Sequence, residues 1–192
     1  KNVLLYHPLI SEKTPLLGIE PSAIYTFLDE YPKLSSFPKE SKELASNCHL
    51  IDSFLAKELQ NNNIQETQFH TDAKEIKVHA HCYQKALGNP SDTFKILNIP
   101  KNYNVRMLNT GCCGMAGSFG YEEEHYDTSM KVAEERLFPS VRNIGYDVVI
   151  AANGISCRHQ IKDGTQRESL HPVSILKAAL IKKRLVKGNL KL

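Results

Sequence analysis

Short apolar segments that are typical of β-strands alternate along this chain with segments that are typical of helices, and this alternation limits the possible folds most. The predicted strands span residues 15–19, 76–82, 104–109 and 147–152. The last of them is a continuous apolar run, which suits a strand buried on both faces of a sheet. We therefore predict an α/β fold with a mostly parallel sheet and flanking helices, which could be organised as two pseudo-repeated Rossmann-like halves.

Helices are predicted between the strands from apolar spacing of three to four residues and from proline or glycine at their ends. They span residues 23–28, 41–60, 83–87, 92–97, 127–143 and 172–181. Asp127 is the predicted N-cap of the fifth helix. Cys48 lies on the apolar face predicted for helix 41–60, where a free cysteine packs as a small apolar side chain.

Length and composition exclude several classes of protein. The 192 residues suffice for one domain or two small halves. Hydrophobic residues make up 41% of the chain and charged residues 23%, a composition that excludes disordered and fibrous proteins. The apolar runs are shorter than the ~20 residues of a membrane helix, so no transmembrane segment is expected. The net charge is only +3, and the basic tail is too thin to indicate nucleic acid binding; its residues are Lys182, Lys183, Arg184, Lys187 and Lys191.

Five cysteines, two of them adjacent, do not fit a disulfide framework. A reduced, intracellular chain is the better interpretation, so we expect a cytoplasmic protein or one bound peripherally to the inner membrane. The chain begins at Lys1 rather than at a methionine. We therefore expect it to be a piece of a longer polypeptide.

Four of the cysteines follow predicted strands, namely Cys82, Cys112, Cys113 and Cys157. The carboxyl ends of neighbouring parallel strands meet at one edge of a sheet, where ligands bind. Gly111 and Gly114 flank the adjacent pair and leave the backbone free to direct both sulfurs at one centre. Four thiolates suit an iron-sulfur cluster or a tetrahedral zinc ion.

Histidines accompany these cysteines. His79 and His81 are two residues apart on a predicted strand and so face one side, and His159 follows Cys157 by two residues. Each could bind metal or hydrogen-bond to sulfur, but a histidine beside such a centre more often supports the ligands. We take His81 and His159, with Gly111 and Gly114, as residues that would contact the cofactor.

The turn after the first strand resembles the turn after the last one. Residues 17–23 read LGIEPSA and residues 153–157 read NGISC. This similarity indicates a duplicated strand-turn-helix unit in which Ala23 occupies the position of Cys157.

Longer motifs make a family resemblance recognisable. They are HAHCYQKAL at 79–87, GCCGMAGSFGY at 111–121, NGISCRHQI at 153–161, HP at 171–172, PLLGIEPS at 15–22 and DEYP at 29–32. Together they resemble the CCG, or cysteine-rich, domain that occurs in heterodisulfide reductase and in the iron-sulfur component of glycolate oxidase. The closest likeness is to the C-terminal region of fused FAD-linked oxidases of the D-lactate or 2-hydroxy-acid dehydrogenase type.

The resemblance implies that Cys82, Cys112, Cys113 and Cys157 bind an iron-sulfur cluster. Gln160 stands where the fullest motif of the family has a further cysteine, so an ordinary [4Fe-4S] or [2Fe-2S] cluster is expected rather than a five-thiolate one. Relatives often have a cysteine where this chain has Ala23. Residues 1–72 are therefore expected to be a degenerate CCG-like half, and residues 73–192 the CCG domain that carries the site.

The function implied is electron transfer within a larger oxidoreductase. An FAD-binding domain of the same polypeptide would oxidise a 2-hydroxy acid such as D-lactate or glycolate, and this domain would pass the electrons to a quinone, a cytochrome or a similar acceptor. The chain would not be catalytic alone. Two alternatives stay open: a zinc-stabilised structural or docking module, and a thiol-disulfide redox site at Cys112 and Cys113.

Overall fold

The computed structural model describes residues 1–181 of the chain, so the predicted basic tail lies outside the described residues. The strands are β1 Leu16–Gly18, β2 Cys48–Leu50, β3 Lys74–His79, β4 Tyr103–Met107, β5 Val149–Ala152 and β6 Ser169–Leu170. The helices are α1 Asn2–Tyr6, α2 Pro21–Leu28, α3 Glu30–Leu34, α4 Pro38–Ala45, α5 Ile51–Gln60, α6 Cys82–Leu87, α7 Pro90–Leu97, α8 Glu123–Glu134, α9 Leu137–Arg142, α10 Ile155–Thr165 and α11 Pro172–Ala179. Short 3₁₀ turns lie at Glu66–Gln68 and Phe119–Tyr121.

A parallel sheet in the order β4-β3-β5-β6 forms the centre of the described structure. Ile76 of β3 pairs with Val105 of β4 on one side and with Val149 of β5 on the other. All the paired strands of this sheet run parallel, and helices connect them. The predicted α/β class with a mostly parallel sheet is therefore confirmed.

Helices cover both faces of this sheet because its strands are apolar on both sides. On one face Ile76 and Val78 pack among buried residues of α5, α7 and α11, including Ile96 and Ile175. On the opposite face, Ile150 packs with buried residues of α8, α9 and α10. The alternation along β5 assigns successive side chains to opposite layers.

The first sixty residues form a smaller assembly around the parallel pair β1-β2. Ile24 and Tyr25 of α2, Leu44 of α4, and Cys48 and Leu50 of β2 form its buried cluster. Cys48 is only 1% exposed, as its predicted role in the core requires. It lies in a strand, however, and not on a helix.

The predicted helix 41–60 is therefore wrong as a single element. The chain leaves the helical path after Ala45, where the side chains of Ser46 and Asn47 both donate to the Glu43 carbonyl. The Asn47 carbonyl then accepts from the Leu16 amide, and the strand pair begins. Helical spacing of apolar residues persisted across the break because Leu44 and Cys48 face the same core.

The predicted helix 127–143 is also divided. It begins earlier, at Glu123, so Asp127 lies inside α8 and is not the N-cap. The helix ends at Glu134, and α9 starts at Leu137. Pro139 explains the break, because proline lacks an amide hydrogen and its ring clashes with the carbonyl four residues earlier.

Smaller differences concern the ends of elements. The predicted strand 76–82 stops at His79, and Cys82 is instead the first residue of α6. Cys157 was expected in a strand-to-helix turn and lies in the first turn of α10, a helix to which the sequence analysis assigned no residue range. Within residues 1–181 no helix has the length and apolar character needed to cross a bilayer.

Ile76→Ala tests whether β3 is the centre of the core. Ile76 is completely buried, so truncation should lower the free energy of unfolding by about 2–5 kcal/mol in urea titrations. Leu34→Ala is the matched control: Leu34 is 81% exposed, and the change should stay within about 0.5 kcal/mol. Equal losses in the two variants would contradict the described core.

Candidate metal centre

Three neighbouring strands deliver the four predicted ligands to one edge of the sheet. Cys82 begins the helix after β3, Cys112 and Cys113 follow β4, and Cys157 lies in the helix after β5. The sulfurs of Cys113 and Cys157 are 3.4 Å apart. Cys112, and less strongly Cys157, raise the pKa of the Cys82 thiol. Sulfur atoms from distant parts of the chain thus meet at a single place.

Exposure divides the four residues into two pairs. Cys113 and Cys157 are buried, whereas Cys82 and Cys112 are exposed. The site therefore has an inner side within the core of the α8–α10 layer and an outer side open to solvent or to a partner.

The loop that carries Cys112 and Cys113 has a shape that only glycine allows at Gly114. Its φ is +89°, and a Cβ atom there would lie 2.1 Å from the Ser129 carbonyl oxygen. This geometry directs the Gly114 amide at the Cys112 sulfur, 3.3 Å away. At Gly111 a Cβ would meet only ordinary contacts, so the structure gives a steric reason for Gly114 and none for Gly111.

Side chains outside the loop hold it in place. The Lys85 ammonium donates to the carbonyl oxygens of Thr110 at 2.7 Å and of Gly111 at 3.4 Å. Gln160, which we expected at the position of the family's further cysteine, is buried and donates to the Ser129 hydroxyl at 2.9 Å. Its amide thus supports the residue against which Gly114 packs.

His81 lies beside Cys82 and caps the helix that Cys82 begins, while its contact with a cofactor stays a prediction. Its Nδ1 accepts from the Tyr83 amide at 3.1 Å and lies 3.9 Å from the Cys82 sulfur. Because Nδ1 is an acceptor, Nε2 carries the hydrogen, and it faces a Glu20 carboxylate oxygen at 4.0 Å.

His79 is a further site residue, which the sequence analysis considered but did not select. It is 1% exposed, its Nδ1 lies 2.6 Å from the Thr110 hydroxyl, and its ring is within hydrogen-bonding reach of the Cys157 sulfur. The alternating pattern that placed His79 and His81 on one side was the available signal.

His159 is exposed and its Nδ1 pairs with the Tyr121 hydroxyl at 2.7 Å. Burial raises the pKa of Tyr121. His159 thus contacts Tyr121, and its contact with a cofactor stays a prediction.

Hydrogen bonds between the thiols divide them into proton donors and acceptors. The pKa of Cys112 falls to about 2 because its sulfur accepts from Cys113, Cys82 and the Gly114 amide. The pKa of Cys157 is also lowered, by Cys113 and then by His79. The pKa values of Cys82 and Cys113 rise because both donate to Cys112. Because the pKa values of Cys82 and Cys113 are raised, binding of a metal by four thiolates would release protons.

The spacing of the thiols bears on the metal. A zinc ion with bonds of about 2.3 Å holds its sulfurs roughly 3.8 Å apart. Within residues 1–181, a group of three ligands whose atoms all lie within 4.8 Å occurs at Glu122, Glu124 and His125 and not among the four thiols. The sulfurs of Cys113 and Cys157, 3.4 Å apart, thus have about the separation that a single ion needs, whereas the set of four thiols does not.

Comparison with known proteins agrees with this geometry. Residues 76–162 match the family model of the CCG cysteine-rich domain. This segment is similar to the CCG domain. It begins in β3, ends in α10 and contains all four converging cysteines. No solved structure matches the chain at a significant level.

Several curated dehydrogenases resemble the chain beyond the CCG domain. One component of the anaerobic glycerol-3-phosphate dehydrogenase of Escherichia coli K12 is 26% identical over 86% of this chain and 40% of its own length. The D-2-hydroxyglutarate dehydrogenase of Pseudomonas putida is 26% identical over 84% of this chain and 15% of its own. That of Haemophilus influenzae is 27% identical over 84% and 16%. The chain thus spans less than half of each of these relatives.

Alkylation of metal-free protein tests the unequal thiols. Cys112 should react with iodoacetamide at nearly the same rate at pH 5 and pH 8, since it is a thiolate at both. An ordinary thiol with a pKa of about 8.5 would change several hundred-fold over that range. Cys48, whose burial raises its pKa to about 11, is the internal control and should react little at either pH. A Cys112 rate that climbs like that of an ordinary thiol would contradict this assignment.

Proposed function

We propose that this chain is the iron-sulfur electron-transfer domain of a larger FAD-linked oxidoreductase, with Cys82, Cys112, Cys113 and Cys157 as ligands of one [4Fe-4S] cluster. The observation that carries the proposal is the meeting of four thiols from three adjacent strand ends. Such a cluster, when bound, accepts and donates single electrons. Thiolates are the ligands of such clusters, and the pKa of the Cys112 thiol is already lowered in the metal-free protein.

Residues around the sulfurs would tune the cluster. The Gly114 amide donates to the Cys112 sulfur, and His79 lies against that of Cys157. Hydrogen bonds to ligand sulfurs stabilise the reduced state and raise the reduction potential. The exposure of Cys82 and Cys112 would leave one side of the cluster accessible to the donor or acceptor of electrons.

The remainder of the enzyme would supply the oxidation itself. The relatives are named as dehydrogenases of D-2-hydroxyglutarate and glycerol-3-phosphate, and D-2-hydroxyglutarate is a 2-hydroxy acid. We propose that an FAD-binding domain in the same polypeptide oxidises a 2-hydroxy acid such as D-lactate or glycolate. A quinone or cytochrome would receive the electrons, in the cytoplasm or at the inner membrane surface.

Residues 1–72 fit the description of a degenerate CCG-like half. α2 follows β1 as α10 follows β5, and Ala23 and Cys157 are each the third residue of their helix. An alanine in this place would leave the first half without a thiol where the second half has a ligand.

A thiol-disulfide redox function is the second candidate, and the exposed Cys112 favours it. The Cys112 thiolate would attack a disulfide substrate and release one of its sulfurs as a thiol. Cys113 would then displace the second, leaving a Cys112–Cys113 disulfide. A zinc module is the third candidate. The sulfurs of Cys113 and Cys157 lie 3.4 Å apart, but within residues 1–181 no three of the thiols lie within 4.8 Å of one another.

Metal and sulfide analysis of anaerobically reconstituted protein distinguishes these functions. We expect about four irons and four sulfides per chain. Cys112→Ser and Cys157→Ser should each lose about half or more of the cluster absorbance. Cys48→Ser changes a buried cysteine outside the site and should retain it. Zinc without inorganic sulfide, or full loading of both site variants, would refute the proposal.

A further inference from the structure

Two carboxylates from the first sixty residues reach the same short turn, Asn153–Ile155, which leads into Cys157. Glu20 precedes α2 and Asp52 lies in α5. Glu20 binds the backbone of Ile155, and Asp52 binds the side chain of Asn153. These contacts join parts of the chain that are 135 and 101 residues apart in sequence.

Crowding at Gly154 explains why the cap of α10 has to come from another part of the chain. Gly154 is the N-cap of α10, and a Cβ atom there would lie 2.4 Å from His81 Cδ2 and 3.2 Å from the Cys157 sulfur. The side chains that usually cap a helix, those of Ser, Thr, Asp and Asn, are therefore excluded at this position. The helix that carries Cys157 cannot cap itself without displacing the site.

Glu20 supplies the missing cap. Its Oε2 accepts from the Ile155 amide at 2.8 Å, which satisfies one of the free amides at the start of α10. Its Oε1 accepts from the Ser22 amide at 3.4 Å, which caps α2, and from the Ser22 hydroxyl at 3.0 Å. A single carboxylate thus caps two helices, one in each part of the chain.

Asp52 holds the residue before Gly154. Its carboxylate is fully buried, and Oδ2 accepts from Asn153 Nδ2 at 2.8 Å and from the Thr93 hydroxyl at 2.5 Å. Gln84 in turn donates to the Thr93 hydroxyl at 2.8 Å. This network links the turn at Asn153 with α6, the helix that Cys82 begins.

His171 fixes the backbone beside Glu20. Its Nδ1 accepts from the Val173 amide, so Nε2 carries the hydrogen and donates to the Ile19 carbonyl at 2.9 Å. Two neighbouring residues of the first part of the chain are therefore bonded to the second part. Ile19 accepts from His171, and Glu20 accepts from Ile155.

We propose that the first sixty residues act as a clamp for the Cys157 turn, with Glu20 and Asp52 as positioning residues. The clamp keeps the Cys157 sulfur at its place beside Cys113 while leaving Gly154 free of a side chain. The importance of this placement for a cluster rests on the proposed function, but the clamp itself is a property of the metal-free protein.

Variants at Glu20 separate the cap from the negative charge. Glu20→Ala removes both, whereas Glu20→Gln retains an oxygen that can accept from Ile155 without the charge. Glu20 has a side chain 24% exposed, so both variants should fold. Glu43→Ala is the matched control, because Glu43 is in the same part of the chain and pairs with His7.

The first readout is alkylation of Cys157 in metal-free protein, located by peptide mass spectrometry. Loss of the cap should make Cys157 about fivefold more reactive in Glu20→Ala, as expected for one lost helix cap. Glu20→Gln and Glu43→Ala should stay within about twofold of the unchanged protein. Cys48, which is buried away from the turn, should keep its low rate in all variants and thereby exclude general unfolding.

The second readout is the electron paramagnetic resonance spectrum after anaerobic reconstitution and reduction. We expect an altered spectrum and reduced iron content in Glu20→Ala only, and a raised reduction potential with an unaltered spectrum in Glu20→Gln. A Cys157 rate unchanged by Glu20→Ala would refute the clamp even if the unchanged protein binds a full cluster. Faster Cys157 alkylation in a protein that binds no cluster would support the clamp and refute the proposed function.

Discussion

Parallel pairing of β3 with both β4 and β5 is the constraint on which the rest of the structure depends. It places the ends of three strands side by side, and the residues that follow each strand carry the four thiols. The apolar interior holds this arrangement, since Ile76, Val78 and Ile150 are buried between helices on both faces. Helices that begin at the strand ends then position Cys82 and Cys157. Packing far from the sulfurs therefore determines their separation.

Space at this edge is limited, and the sequence reflects it. Gly114 lies against the Ser129 carbonyl, and Gly154 lies against His81 and the Cys157 sulfur. Each glycine removes a side chain where the thiols and their neighbours must approach closely. The consequence at Gly154 is the loss of a local helix cap, and a carboxylate from a distant segment replaces it. The same crowding thus accounts for a glycine in one part of the chain and a glutamate in another.

The sequence predicted well what depends on local pattern and on topology. Alternating apolar segments predicted the parallel sheet, and the position of cysteines after strands predicted where they would meet. It failed where long-range contacts override local spacing: β2 interrupts an apparent helix because the Asn47 carbonyl pairs with Leu16. The bounds of helix α10 escaped prediction for a related reason, because its cap at Glu20 is 135 residues away. The bond of Gln160 to Ser129 is likewise visible only in three dimensions.

The central claim is that one cluster, and not a single ion, joins the four thiols. X-ray absorption at the iron edge of anaerobically reconstituted protein tests it most directly, because the technique reports the ligand atoms and the neighbouring metals together. The account predicts a shell of sulfur around iron and a clear iron-iron contribution beyond it. A shell of nitrogen and oxygen without iron-iron scattering would contradict it.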